Sequence, residues 1–210
     1  WATSLISSGG LLTKSGAGTL TLSGANTYTG LTTISAGTLA YGGSSAAISD
    51  TGAVLVDGTS AILSLGAYSD TVGAVSIGTS GGSITSSSGI LTGTVYAISN
   101  TVLNTATISA ILAGSVALNK SGAGTLTLSG ANTYTGLTTI SEGTLKLGAA
   151  GGATNTPLGT VAAGTVVSSG ATLDLAGYTL GTAEALTLNG TGISSGGALM
   201  NSGAAATYSG

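Results

Sequence analysis

Nine charged side chains are all that this sequence offers for acid–base or electrostatic work: Lys14, Lys120 and Lys146 against Asp50, Asp57, Asp70, Glu142, Asp174 and Glu184, with no Arg and no His. Polysaccharide cleavage needs two carboxylates facing one bond, one as acid and the other as base or nucleophile. Asp50 and Asp57 lie seven residues apart around a turn, Asp70 follows one strand later, and Asp174 and Glu184 stand apart. They read as solvated turn and surface positions, not as a pair. A Ser-His-Asp triad is impossible without His, and a lysine-activated serine has no distinguishing signature among so many serines. Cysteine is absent, which excludes disulfides and thiolate metal sites. The glycines lack the G-G-x-G-x-D spacing of calcium-loaded β-rolls and the phosphate-cradling patterns that open helices. Three scattered lysines make no basic face, so no nucleic acid partner is expected. The reading is a non-enzyme with no cofactor and no metal.

Ligand contact has one candidate set. Tyr28 and Tyr134 on an exposed ledge would stack on a sugar, with Asn26 and Asn132 beside them bonding its hydroxyls. The competing and preferred reading is structural: "SGANTYTG" is a turn followed by a strand whose Tyr caps the core, while Asn satisfies loop amides. Rows of T-x-T such as Thr19, Thr21, Thr27 and Thr29 raise ice binding. That function needs one pair per coil in a single column, and these pairs lapse through much of the chain.

The elements that carry these residues follow from repetition. "KSGAGTLTLSGANTYTGLTTIS" occupies Lys14 to Ser35 and returns unchanged from Lys120 to Ser141. A weaker pair, "AILSLGAY" at Ala61 to Tyr68 and "ATLDLAGY" at Ala171 to Tyr178, extends the correspondence, giving long repeats of approximately 11–116 and 117–210 within one continuous segment, 1–210. Of the 210 residues 42% are apolar, 38 are Gly and one is Pro. The apolar share and scarce charge argue against disorder, and no strict Gly-X-Y period supports collagen. Mean hydropathy is +0.55, yet no apolar run approaches the roughly 18 residues of a spanning helix. Aromatics at 4% are too few for the girdles of a transmembrane barrel. The chain opens at Trp1 without a basic-then-apolar leader and reads as an internal or processed piece.

Helical spacing is absent and period two is abundant. Leu20 and Leu22, Leu63 and Leu65, Val75 and Ile77, and Leu145 and Leu147 each place two apolar groups on one side of a short strand. Between the copies, Ala36 becomes Glu142 and Ala40 becomes Lys146, while Leu39 stays Leu145 and Tyr41 becomes Leu147. Charge enters at alternate positions, as on a strand with one wet and one buried face. Coils of about 20 residues with three short sides, each burying its apolar face on the next, predict an all-β fold, a parallel β-solenoid. Roughly ten coils would make a rod on the order of 50 Å long. An antiparallel sandwich is the weaker alternative, given the short strands and the density of Gly and Thr.

"GAGTLTLSGANTYTGLTTISAGTLAYG" and its second copy resemble the autotransporter-associated β-strand repeat of passenger regions in Gram-negative type V secreted proteins. The resemblance implies a right-handed parallel β-helix, extracellular or on the bacterial surface, attached to the outer membrane through a translocator barrel outside this chain. The expected role is a stalk, spacer or fibre-forming segment whose partners are neighbouring coils or copies of itself, stacked end to end into a filament. The alternative is an adhesin that recognises surface glycans or another cell through exposed loops.

Overall fold

Alternating apolar and small polar residues over three to five positions make strands too short to stand alone, so each must find a parallel partner one coil away. A computed structural model describes residues 8–210 other than Ser44 and Thr182; Trp1 lies outside the described residues. The first sheet stacks Leu12–Lys14, Thr32–Ile34, Val54–Val56, Val75–Ile77, Tyr96–Ile98, Leu118–Lys120, Thr138–Ile140, Thr165–Val167 and Leu186–Leu188. The second stacks Thr19–Leu22, Gly37–Tyr41, Ala61–Ser64, Gly82–Thr85, Thr105–Ile108, Thr125–Leu128, Thr144–Leu147, Thr172–Asp174 and Leu199–Met200. Both are nine-stranded, and every neighbouring pair in them is parallel. The chain is a β-solenoid of about 20-residue coils, as the pattern predicts. Register partners on the first sheet lie 20 to 22 residues apart, except Thr138 and Thr165, which lie 27 apart.

The third side departs from expectation. Among the described residues it is a sheet in three coils, through Asp70–Thr71, Ile90–Thr92 and Ile111–Ala113. Where the repeats place Asn-Thr-Tyr-Thr-Gly, backbone bonds to the preceding coil continue, as from the Thr133 N–H to the Leu112 carbonyl at 2.8 Å, and a side chain adds to them: the Leu112 N–H donates to Asn132 Oδ1 at 2.8 Å. The 27-residue step holds an antiparallel hairpin, Asn155–Thr156 with Gly159–Thr160, and Thr156 also bridges antiparallel to Asn132.

The core lies between the two long sheets. Leu39, Leu63, Ile84, Ile108, Leu128 and Leu147 form one inward column, each buried. Glu142 is exposed, and Lys146 points outward between buried Leu145 and Leu147, so the alternation read between the copies holds.

The identical stretches do not occupy equivalent registers throughout. On the first sheet Lys14 and Lys120 share a column, through Ile34, Val56, Ile77 and Ile98. On the second, Leu39 aligns with Leu147 rather than with its sequence counterpart Leu145. Corners of different length cause the slip: two residues separate Ile34 from Gly37, and four separate Val56 from Ala61. A shift of two keeps every side chain on its own face, which a shift of one would not.

Candidate functional site

The four candidate contact residues are interior. Asn26, Tyr28, Asn132 and Tyr134 are each at most 4% exposed, so the exposed-ledge geometry required for sugar stacking is not what the chain forms. Each pair closes a corner of the solenoid. Asn26 Nδ2 donates to the Ala47 carbonyl at 2.6 Å, and Asn132 Nδ2 to that of Pro157 at 2.6 Å. The Tyr28 hydroxyl lies 2.9 Å from Thr32 Oγ1. Its counterpart on Tyr134 lies 2.7 Å from Thr138 Oγ1, which donates onward to the Leu158 carbonyl at 3.0 Å. The hairpin closes over Tyr134, where Gly159 (φ 98) leaves room: a Cβ there would fall on the Tyr134 ring. Tyr96 packs against Tyr134 with centroids 6.0 Å apart and donates to a carbonyl, Leu91 at 2.7 Å or Ala113 at 2.6 Å.

The carboxylates also differ from the solvated positions expected of them. Asp50 is exposed, and Asp57 is a half-buried corner residue whose Oδ1 accepts the Ser80 N–H at 2.7 Å. Asp70, Asp174 and Glu184 are buried. Asp70 Oδ2 accepts the Ile48 N–H at 3.0 Å. Glu184 Oε1 accepts the Thr165 hydroxyl at 3.0 Å, and Oε2 has no partner. Asp174 Oδ1 takes the N–H groups of Ala176 and Ser202, both at 2.9 Å, and Oδ2 takes the Ser202 hydroxyl at 2.6 Å. Lys146 Nζ stands 3.8 Å from Asp174 Oδ2 and 3.4 Å from Ser202 Oγ. A hydroxyl, an ammonium and a carboxylate do meet there, but the serine proton is given to Asp174 and two backbone amides hold that carboxylate. The cluster pins the last turn, and the exposed side of its ion pair contributes little. Among the described residues no three acidic, His or Cys side chains converge as metal ligands would.

Two lysines are the least expected feature. Lys14 and Lys120 point inward at the end of their strands and thread their ammonium groups into the following corner. Lys14 Nζ donates to the carbonyls of Gly16 and Ala36, the latter at 2.9 Å. Lys120 Nζ donates to the carbonyls of Gly122 and Glu142, the latter at 3.3 Å. Gly37 (φ 66) and Gly143 (φ 70) complete the cages: a Cβ on either would strike two carbonyl oxygens of the preceding corner.

Burial sets the electrostatics. It pushes the Lys120 ammonium down to about 8, partly offset by the Glu142 charge. It pushes Asp70 up to about 6 against the bond from Ile48, and Glu184 up to about 7 against that from Thr165. For Asp174 burial works upward but is outweighed by the Ser202 and Ala176 bonds and Lys146, leaving its carboxyl below the ordinary range. The raised groups carry more protons folded than unfolded between about pH 4 and pH 7, so their stabilisation is full below that window and is lost as pH rises through it. The unfolding midpoint should therefore be lower at about pH 8 than at about pH 5, by an amount that Glu184→Gln reduces. Thermal melts across that range check this, and a midpoint that rises instead would refute it.

A family model, the passenger-associated-transport-repeat, matches residues 12–40 and 118–147. Each match covers two successive coils and one lysine cage: Leu12–Lys14 through most of Gly37–Tyr41, and Leu118–Lys120 through Thr144–Leu147. No curated protein and no solved structure matches the chain.

Proposed function

From a chain that carries two passenger-associated-transport-repeats on one β-solenoid, we propose a stalk or spacer, a passenger-like structural module displayed outside a bacterial cell. Its work is length and stiffness, with attachment to the outer membrane through a translocator elsewhere in the parent protein. The observation that carries this reading is the inward use of polar chemistry. The cage lysines, the Asn–Tyr pairs and four of the carboxylates hold one coil to another instead of facing a substrate. On this reading the chain is no enzyme, and incubation with polysaccharides releases no product.

End-to-end joining is part of the proposal. Leu20 is 37% exposed on the second strand, whereas its counterpart Leu126, with a coil on each side, is fully buried. At the other end Leu188 and Met200 are exposed. Edge strands of parallel sheets accept a further coil, from the parent chain or from another copy. Electron micrographs of the purified chain should show short rods, or long uniform fibres if the ends join; compact particles would overturn the proposal.

One observation favours the adhesin reading. Val102 and Leu103, 72% and 93% exposed, form the tip of a corner held by Asn104 Nδ2 bonding the Thr79 carbonyl at 3.1 Å. Glycan or cell binding that disappears in Leu103→Ser would shift the function to recognition.

A further inference from the structure

Beyond exposed Leu11, which precedes the first strand of the first sheet, the residue before the strand points outward and is apolar on six further successive coils: Leu31, Ala53, Ala74, Val95, Ala117 and Leu137. Their carbonyls accept the N–H of the strand before, from Leu12 to Leu31 at 3.1 Å through Leu118 to Leu137 at 3.1 Å, so the side chains stack into one straight ridge. Leu31 and Leu137 are 38% exposed, and the four between them are half-buried. The neighbouring outward column, which includes Leu55, Ala97 and Asn119, carries no charge either. The chain has nine charged residues, and the two in this sheet, Lys14 and Lys120, turn inward.

We propose that the chain associates side by side with a second copy through this face, the ridge of each rod packing along the other. Three observations commit the occupant. First, the ridge repeats at the strand spacing of about 4.8 Å, and a second solenoid is the partner whose side chains recur with that period over its whole length. Second, the face is free of charge although each copy carries a net charge of −3, so contact here brings no like charges together. Third, nine strands at that spacing, with two outward columns each, give roughly 1,000 Å² of buried surface for the pair, at the lower limit for a specific interface. The association is therefore reversible and concentration-dependent. It uses a different surface from end-to-end joining and does not depend on it.

Val95 stands on the fifth of the nine coils, where a two-fold axis would bring it close to its own copy. Sedimentation of the 210-residue chain from low to high micromolar concentration should show a monomer–dimer equilibrium. Val95→Asp sets like charges against each other and should weaken dimerisation by about tenfold or more. Thr107→Asp, on the outward side of the second sheet, should leave it unchanged, with circular dichroism confirming that both variants fold. A chain that stays monomeric throughout would overturn the proposal. So would a dimer that persists in Val95→Asp, whether or not Leu188→Lys at the terminal edge abolishes it. A monomer whose outer face instead retains an insoluble polysaccharide, with retention lost in Val95→Asp, would overturn it in favour of glycan binding.

Discussion

Truncation of Tyr134 to alanine is expected to lower the unfolding free energy by about 3–5 kcal/mol, in the range for removing a large buried aromatic side chain. The ring is fully buried, packs on Tyr96 and lies under the hairpin at Gly159. Its loss opens a cavity under the hairpin and removes the phenol that bonds the Thr138 hydroxyl, which keeps only its own bond to the Leu158 carbonyl. Tyr134→Phe keeps the ring and loses one buried hydrogen bond, for an expected loss of about 1 kcal/mol. Tyr28→Ala should lie below Tyr134→Ala, because Tyr28 retains slight exposure where Tyr134 has none. Urea unfolding of the three variants orders these effects. A Tyr134→Ala protein as stable as the parent would mean that the ring is peripheral, and would restore the sugar-stacking ledge as a candidate site.

Much of this architecture is legible from alternation alone. Leu39 and Leu145 keep their type while their neighbours accept charge, and Lys146 does face outward between buried leucines. The same rule, followed strictly, places Lys14 and Lys120 inside, since each lies two residues after an inward leucine in L-T-K and L-N-K. Treating charge as a mark of the wet face hides them. Only the corner explains the exception, because its backbone carbonyls, those of Gly16 and Ala36 or of Gly122 and Glu142, supply the acceptors that water would otherwise provide. Asp70 and Glu184 have no such signal: neither lies in an alternating run, and their burial depends on neighbours about one coil away, Ile48 and Thr165. The two-residue slip on the second sheet is also invisible locally. It arises from the corner after Val56, outside the repeated stretch, while the repeats themselves are identical.

Replacement of Lys120 by methionine is expected to destabilise the fold by about 2–4 kcal/mol, because the stem is matched in volume while two buried carbonyls lose their donor. Those carbonyls belong to Gly122 and Glu142. The pH dependence separates this from a packing defect. With a folded-state value of about 8 against an ordinary value of about 10.4, the unfolded chain binds the proton more tightly, so Lys120 adds a rise in stability with pH between about 8 and 9 that Lys120→Met lacks; nearer pH 10 the tyrosines that burial holds above their ordinary value turn the slope downward in both proteins. Lys14→Met should be milder, since Lys14 is 7% exposed on the first coil and water can reach its cage. Gly143→Ala attacks the same cage from the next coil. Its φ of 70° already disfavours a side chain, and the added Cβ strikes the Gly122 and Gly124 carbonyls. Gly170→Ala, with φ 82 and nothing within 4 Å, carries the backbone penalty alone, about 1 kcal/mol. If Gly143→Ala exceeds it by about 2 kcal/mol or more, the excess measures the cage. Equal losses at the two glycines, or an unchanged pH slope in Lys120→Met, would reduce the lysines to filler. The expected inequality instead makes the lysine-filled corner what the repeated sequence encodes, which is why its geometry is kept in both copies while the strand register beside it drifts by two residues.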